Sequence, residues 1–233
     1  MNQHWDKYAR LLTDYCLDIQ AGQKVWVQST YLAEPLLKAL AERLYQKQAI
    51  VEWSVGFEDQ AYYKLKYAQG VSLTTPSVQV EAASQSFDAI IFCGAPFNVS
   101  SIRHADPDKK RDIAMAQKEL RQTRLERGAN GSLKWVICQF PTAANAQLAD
   151  MSLAEYEEFI LNACFLKESD PIDAWVRLSQ QQQKWVDQLN KYDSFVFRNS
   201  HFECALSTRD RIWINSDGKR NMPSGEVFTS PQE

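Results

Sequence analysis

The sequence predicts an α/β protein with a doubly wound, mainly parallel sheet flanked by helices, followed by the start of a truncated, β-rich second domain. Short apolar runs rich in β-formers alternate with segments of helical periodicity, and this alternation is typical of βαβ units. Beyond Asn190, three β-like runs follow one another without an intervening helix. We therefore predict an α/β domain at residues 1-193 and the beginning of a second domain at residues 194-233.

The opening segment predicts the order α-β-α-β. Residues 8–20 place apolar side chains at helical spacing, and Ala21-Gly22 ends that helix. The run KVWVQ at 24–28 predicts a strand, residues 33–46 predict an amphipathic helix, and AIVEWSV at 49–55 predicts a second strand. Residues 62–67 predict a short helix.

The middle segment predicts the centre of the sheet. The nearly continuous apolar run FDAIIFC at 87–93 is typical of a parallel strand buried on both faces, and Gly94-Ala-Pro ends it. Asp106 is the predicted cap of a helix that begins with Pro107 and continues through the periodic stretch 113–125. KWVICQF at 134–140 predicts the next strand.

Helices then replace strands before the β-rich end. Ser152 and Glu155 form an S-x-x-E capping box, and Asp170-Pro171 starts another helix that contains the glutamine run 180–183. The β-like runs that follow are SFVFR, FECALS and RIWIN.

Composition excludes several classes of function. The formal net charge of -3 leaves no positive surplus for nucleic acid, and the basic cluster Lys109-Lys110-Arg111 is interpreted as a solvated helix face. Residues 1–10 contain no apolar signal region, and no apolar run reaches the ~20 residues that span a bilayer. We expect a cytoplasmic protein without a nucleic-acid or membrane partner.

The five cysteines predict buried, reduced thiols. Their number is odd, they lie far apart, and no CxxC pair occurs, which disfavours zinc and disulfide chemistry.

Few residues are candidates for chemistry. Turn residues, Pro223 and Gly225 precede Glu226, which would project from a loop-to-strand junction, although the residue pattern alone favours a solvated surface hairpin. His201 and Glu203 would share one face of a strand, a spacing that can chelate a metal but is also ordinary for a half-solvated strand.

Other catalytic signals are weak or missing. His104 in a loop and His4 in a mobile N-terminus are interpreted as surface residues. No G-x-S-x-G motif occurs, and Gly94-Ala-Pro is not a G-x-G-x-x-G loop, so a serine hydrolase and a dinucleotide site are both disfavoured.

Longer motifs carry a family resemblance. The stretch WINSDGKRNMPSGEVFTSP resembles the first metal-ligand motif of the thermophilic-type metallo-aminopeptidase family (aminopeptidase T, aminopeptidase S and PepS). DPIDAW with the glutamine-rich helix after it, MSLAEYEEFILNAC, WVICQFPT and AGQKVWV are also similar to that family, so the resemblance covers the whole chain. The family's Gly-Thr-Asp-Leu turn is replaced here by SHFECALSTRD.

The resemblance implies a two-metal aminopeptidase that removes N-terminal residues from peptides and forms a homodimer. It implies that Glu226 binds one of two divalent ions (Zn, Co, Mn or Mg), and that residues 194-233 begin the metal-binding catalytic domain. Family members continue beyond this point and carry their other ligands there. We therefore expect this chain to be an N-terminal portion with no catalytic residue of its own and no activity alone.

Two alternatives remain open. One is a non-catalytic α/β scaffold or oligomerisation module, which would show no metal-dependent peptidase activity. The other is a stand-alone nucleotide-binding domain, which common nucleotides would stabilise against heat.

Overall fold

The computed structural model describes residues 3–230, and its elements alternate as an α/β protein requires. The helices are α1 (Gln3–Arg10), continued by a π-helical turn (Leu11–Cys16), α2 (Glu34–Gln46), preceded by a 3-10 turn (Tyr31–Ala33), α3 (Gln60–Tyr67), α4 (Val71–Thr74), α5 (Val78–Gln85), α6 (Pro107–Ala116), α7 (Lys118–Ala129), α8 (Ala143–Leu148), α9 (Leu153–Ala163) and α10 (Pro171–Leu189). The strands are β1 (Lys24–Thr30), β2 (Ile50–Gly56), β3 (Ala89–Gly94), β4 (Lys134–Gln139), β5 (Ser194–Arg198), β6 (Glu203–Ser207), β7 (Ile214–Ser216), β8 (Asn221–Met222) and β9 (Glu226–Phe228).

The main sheet has five strands in the order β2-β1-β3-β4-β8, and every pair is parallel. From β1 the chain adds β2 on one side and then β3 and β4 on the other, so the direction of winding reverses at β1. Helices pack on both faces of the sheet. The predicted doubly wound, mainly parallel sheet is confirmed.

The larger core lies on one face of the sheet. It joins apolar residues of α1, the π-helical turn, α2, α9 and Trp175 of α10 to alternate residues of the central strands, among them Val25 and Ile91. Tyr8 and Trp175 are fully buried there. The smaller core lies on the other face of the sheet, beneath α5. It consists of Trp26, Ala83, Phe87, Ile90 and Leu133.

The predicted strands of the α/β part are all present, with ends shifted by one or two residues. The predicted caps are confirmed: Asp106 accepts from the backbone of Asp108, Ser152 and Glu155 form both bonds of the capping box, and Asp170 accepts from the backbone of Ile172. The helix predicted from residue 8 instead begins at Gln3, because Trp5 and Tyr8 are already buried.

Other expectations need correction. The periodic stretch 113–125 is not one helix, because α6 ends at Ala116 and α7 begins at Lys118. The strand β3 is not buried on both faces throughout, since Phe92 is 45% exposed. Lys109 is not a solvated side chain: its Nζ donates to the carbonyls of Leu65 and Ala68, at 2.8 and 3.1 Å, at the C-terminal end of α3.

The β-rich end forms two small antiparallel sheets, β5-β6 and β7-β9. Between β7 and β9 the chain returns to the main sheet, where β8 pairs with Ile137 and Cys138 of β4. The boundary between residues 193 and 194 stays a prediction. Pro231, the last residue of the motif quoted above, lies outside the described residues.

All five cysteines are free thiols, and four are buried, as predicted. Burial raises the pKa of the Cys164 thiol to about 12. Within residues 3–230, no helix has both the length and the apolar character needed to cross a bilayer.

Candidate functional site around Glu226

Glu226 is the first residue of β9, where it lies opposite Ser216 of β7 in the antiparallel pair. Gly225, with a φ of +116°, precedes it, and the Gly225 N–H donates to the Ser216 carbonyl at 3.0 Å. The Glu226 side chain is exposed and forms no hydrogen bond or ion pair with any other residue of the described part. The local backbone is therefore fixed while the carboxylate is free.

Gln182 of α10 holds both strands of this small sheet. Its side-chain amide is buried, and its Nε2 donates to the Glu226 carbonyl at 2.6 Å and to the Ser216 carbonyl at 3.4 Å. Asn215 of β7 donates to the Ser179 carbonyl of α10 at 3.0 Å. The backbone of Glu226 is thus fastened directly to the long helix that bounds the core.

Asp217 provides a second fastening. Its carboxylate is 7% exposed and accepts from the Ser179 hydroxyl and from Lys219 Nζ, both at 2.8 Å. Its backbone carbonyl accepts from the Tyr15 hydroxyl at 2.9 Å. Burial, followed by the nearby Asp217 charge, raises the pKa of Tyr15, so this phenol remains a donor at neutral pH.

The turn after β7 packs onto the large core. Gly218, at a φ of +94°, lies against the Trp175 ring and the Met222 methyl group, leaving no room for a side chain. The buried Tyr8 hydroxyl donates to the Met222 carbonyl at 3.1 Å. Together with Gln182 and Asp217, these contacts bind the motif to α1 and α10.

The other predicted candidates do not join Glu226. His201 lies in the turn between β5 and β6, so the expectation that it shares a strand face with Glu203 is wrong. Glu203 instead accepts from Arg198 Nε at 2.6 Å. His104 is an exposed turn residue, as predicted, but His4 belongs to helix α1 rather than to a mobile terminus.

A metal would find one free carboxylate here. Carboxylate oxygen is a suitable ligand for divalent ions, and Glu226 has no side-chain partner within residues 3–230 to lose on binding one. Across residues 3–230, however, no group of three or more His, Cys, Asp or Glu side chains converges in a way that could hold an ion.

Sequence reasoning singled out Glu226 but missed the residues that position it. Gln182 belongs to the glutamine run 180–183, yet it stands seven positions after Trp175 and four before Val186, both buried on the same helix face. That helical spacing was the available signal. The contacts of Tyr8, Tyr15 and Asp217 carried no local signal.

Comparison with known proteins identifies relatives of the chain. The family model described as thermophilic metalloprotease (M29) matches residues 1–233. Aminopeptidase 2 of Geobacillus stearothermophilus is 27% identical over 255 aligned residues, which cover 98% of this chain and 60% of the relative. Aminopeptidase AmpS of Bacillus subtilis (strain 168) is 24% identical over 257 residues, covering 100% of this chain and 62% of the relative.

The fold is also similar to a solved structure, wild-type AmpT from Thermus thermophilus. The TM-score is 0.76 at 20% identity, and the match covers 98% of this chain and 62% of that one. The chain therefore spans about 60% of the length of the relatives it matches.

Proposed function

Because the chain belongs to the thermophilic metalloprotease (M29) family, we propose that it forms part of a metal-dependent aminopeptidase that removes N-terminal residues from peptides. Two relatives that match nearly the whole chain carry the name aminopeptidase. The observation that carries the proposal is the state of Glu226: an exposed carboxylate without a partner among the described residues, on a backbone fastened by Gln182.

Glu226 is the proposed metal ligand of this chain. Two divalent ions (Zn, Co, Mn or Mg) would require several converging ligands, and residues 3–230 offer no group of three. We propose that the remaining ligands come from outside these residues. When bound, the ions would acidify a water molecule and polarise the peptide carbonyl.

The contribution of the chain itself is positional. Gln182 and the Gly225 N–H fix the start of β9, and Asp217 fixes the preceding turn, so the carboxylate projects from a rigid junction. The backbone at this position therefore loses little conformational freedom on binding an ion, and only the Glu226 side chain has to be ordered. Because Glu226 has no side-chain partner among residues 3–230, no ion pair within this part of the chain must be broken.

Further parts of the proposal concern the whole protein. We propose a cytoplasmic homodimer acting on peptides, with residues 1-193 as the α/β domain and residues 194-233 as the beginning of the catalytic domain. The 233 residues alone are expected to be inactive, because one carboxylate does not hold two divalent ions.

The test compares two proteins: the 233-residue chain, and the same chain extended by the coding sequence that follows Glu233. Hydrolysis of a leucyl chromogenic substrate is measured with and without a chelator. We expect chelator-sensitive activity in the extended protein only, and at least a hundredfold loss with Glu226→Gln.

Glu203→Gln is the matched control, because Glu203 is also an exposed carboxylate at the first position of a strand. Activity that survives chelation, or an equal effect of both substitutions, would refute the metal role of Glu226.

The second candidate is a non-catalytic α/β scaffold or oligomerisation module. The lack of a three-ligand group in residues 3–230 favours it for this chain by itself. An extended protein without any peptidase activity, combined with stable self-association of the 233 residues, would favour this function instead.

A further inference from the structure

A cleft of about 880 Å³ opens at the carboxyl ends of the central strands, among side chains of β1, β2, β3 and β4. The backbone pairing of β1 with β3 ends at Gln28 and Phe92. Beyond this point the Ser29 and Thr30 hydroxyls donate to the carbonyls of Cys93 and Ala95, at 2.8 and 2.6 Å. The strands β1 and β3 therefore separate at the point where the direction of winding reverses. Open α/β sheets bind ligands at such points.

Among residues 3–230, no charged residue lines the cleft. The lining contains no Asp, Glu, Lys, Arg or His, but six of its side chains end in an amide: Gln28, Gln60, Gln79, Asn98, Gln139 and Asn145. Amides present donors and acceptors side by side, which suits bidentate pairing with the edge of a heterocycle.

Two glycines give these amides their positions. A side chain at Gly94 would place its Cβ 2.6 Å from Gln139 Oε1, and one at Gly56 would place its Cβ 2.9 Å from Gln60 Oε1. The amides therefore lie directly on the strand ends. A third amide is oriented by hydrogen bonds: Trp26 Nε1 donates to Ser54 Oγ, which donates to Gln79 Oε1, both at 2.8 Å.

The cleft also has an aromatic component. Phe92 lies on the central strand β3, with β1 and β4 on either side, yet it is 45% exposed because this side chain lines the cleft rather than the smaller core. The Trp53 ring of β2 is not part of this component, because it packs on the opposite face of the sheet against the larger core, where its Nε1 donates to the Tyr45 hydroxyl at 3.3 Å. An exposed aromatic face such as that of Phe92 favours planar ligands.

The surroundings are poorly suited to phosphate. The first helix after β1, α2, begins with Glu34 and Pro35, so its N-terminus carries a negative side chain and lacks one backbone N–H. With no cation in the lining, a phosphate group would lose water without gaining a partner. The matching ligand is planar, uncharged and bordered by donors and acceptors.

We propose that this cleft binds an uncharged nucleoside, with its base against Phe92 and its base edge facing the amide side chains. This site is separate from the proposed role of Glu226, which is not among the residues of the cleft lining. Neither proposal requires the other.

The test is calorimetric titration of the 233-residue chain with adenosine, inosine, AMP and an N-acetylated dipeptide amide. We expect saturable binding of a nucleoside with one site per chain, and at least tenfold weaker binding of AMP. No saturable nucleoside binding up to millimolar concentration would overturn the proposal. So would AMP binding as tightly as adenosine, or the blocked dipeptide binding in place of the nucleosides.

Substitutions then locate the site. Phe92→Ala is expected to weaken binding roughly tenfold, as loss of one stacking ring does. Phe159→Ala, whose ring is 50% exposed on α9 away from the cleft, is the control. Gly94→Ala is expected to displace the Gln139 amide, whereas Gly128→Ala meets an ordinary 3.5 Å contact.

Gln79→Ala, at an exposed position of α5, provides a variant that does not disturb the sheet. If Gly94→Ala does not fold, the nucleoside affinities of Phe92→Ala and Gln79→Ala are sufficient to test the location of the site. Nucleoside binding that all folded cleft variants retain at full strength would place the ligand elsewhere and overturn the assignment.

Discussion

Replacing Gln182 with methionine tests whether α10 holds the strand that carries Glu226. Methionine has similar length and helix propensity but donates no hydrogen bond, so Gln182→Met removes the bonds to the Glu226 and Ser216 carbonyls, at 2.6 and 3.4 Å. The helix itself should remain.

The magnitude follows from the partners that are lost and gained. Leaving a buried carbonyl without its donor costs about 1–3 kcal/mol, and the 2.6 Å bond is the stronger of the two. Against this, Gln182 Oε1 is itself buried without a hydrogen-bond partner among the described residues, and methionine removes that polar atom. We expect a net loss of about 1.5 kcal/mol in the free energy of unfolding.

Thermal denaturation followed by circular dichroism measures this loss. A domain of this size loses about 2–4 °C in melting temperature per kcal/mol, so a fall of about 3–6 °C is expected. Gln181→Met is the matched control, since Gln181 is the exposed neighbour on the same helix and its side chain forms no hydrogen bond within the described residues. Equal melting temperatures for the two variants would refute the anchoring role of Gln182.

Three other predictions follow from packing, charge and ionisation. Gly218→Ala should lower the free energy of unfolding by about 1–3 kcal/mol more than Gly131→Ala. Both glycines have a positive φ, but only at Gly218 would the added Cβ lie 2.6 Å from the Met222 methyl group. Urea denaturation of the two variants measures the difference. Lys109→Met should lower the free energy of unfolding by about 0.5–1 kcal/mol and speed amide hydrogen exchange in α3. The reason is that the ammonium group no longer donates to the carbonyls at the C-terminal end of that helix. Unchanged amide exchange would contradict this role. The buried Cys164 thiol keeps its proton up to a pKa of about 12 while the unfolded thiol ionises near pH 9, so its contribution to stability should be constant below pH 9 and fall between about pH 9 and 12. That thiol contributes about 1.4 kcal/mol per pH unit, and urea denaturation of Cys164→Val between pH 8 and 11 should show a shallower decline than the parent.

Local chemistry was enough to predict most elements of the sheet and several of its helix starts. Strand runs such as KVWVQ and KWVICQF combine β-branched and aromatic residues, and the capping residues Asp106 and Ser152 act within three positions of the backbone groups they bind. These interactions are encoded close together in sequence, so the sequence pattern predicts them.

Long-range placement could not be predicted in the same way. The two residues of β8 form too short a run to show alternation, and their position follows from pairing with β4. Glu226 was identified through resemblance, but its support by Gln182 depends on how α10 lies against β9. Lys109 appeared to be one charge of a solvated cluster because its partners in α3 lie more than 40 positions away.

The hydrogen bond between Tyr8 and Met222 joins residues 214 positions apart. During synthesis, the Tyr8 hydroxyl of the first helix therefore cannot form this hydrogen bond until nearly the whole described chain has left the ribosome. Until then the edge of β4 also lacks β8, and an open strand edge can pair with that of another nascent copy. Contacts between residues far apart in sequence make folding slow, because forming them costs the conformational entropy of the intervening chain. Production of this protein should accordingly benefit from low temperature or from a chaperone that covers the edge.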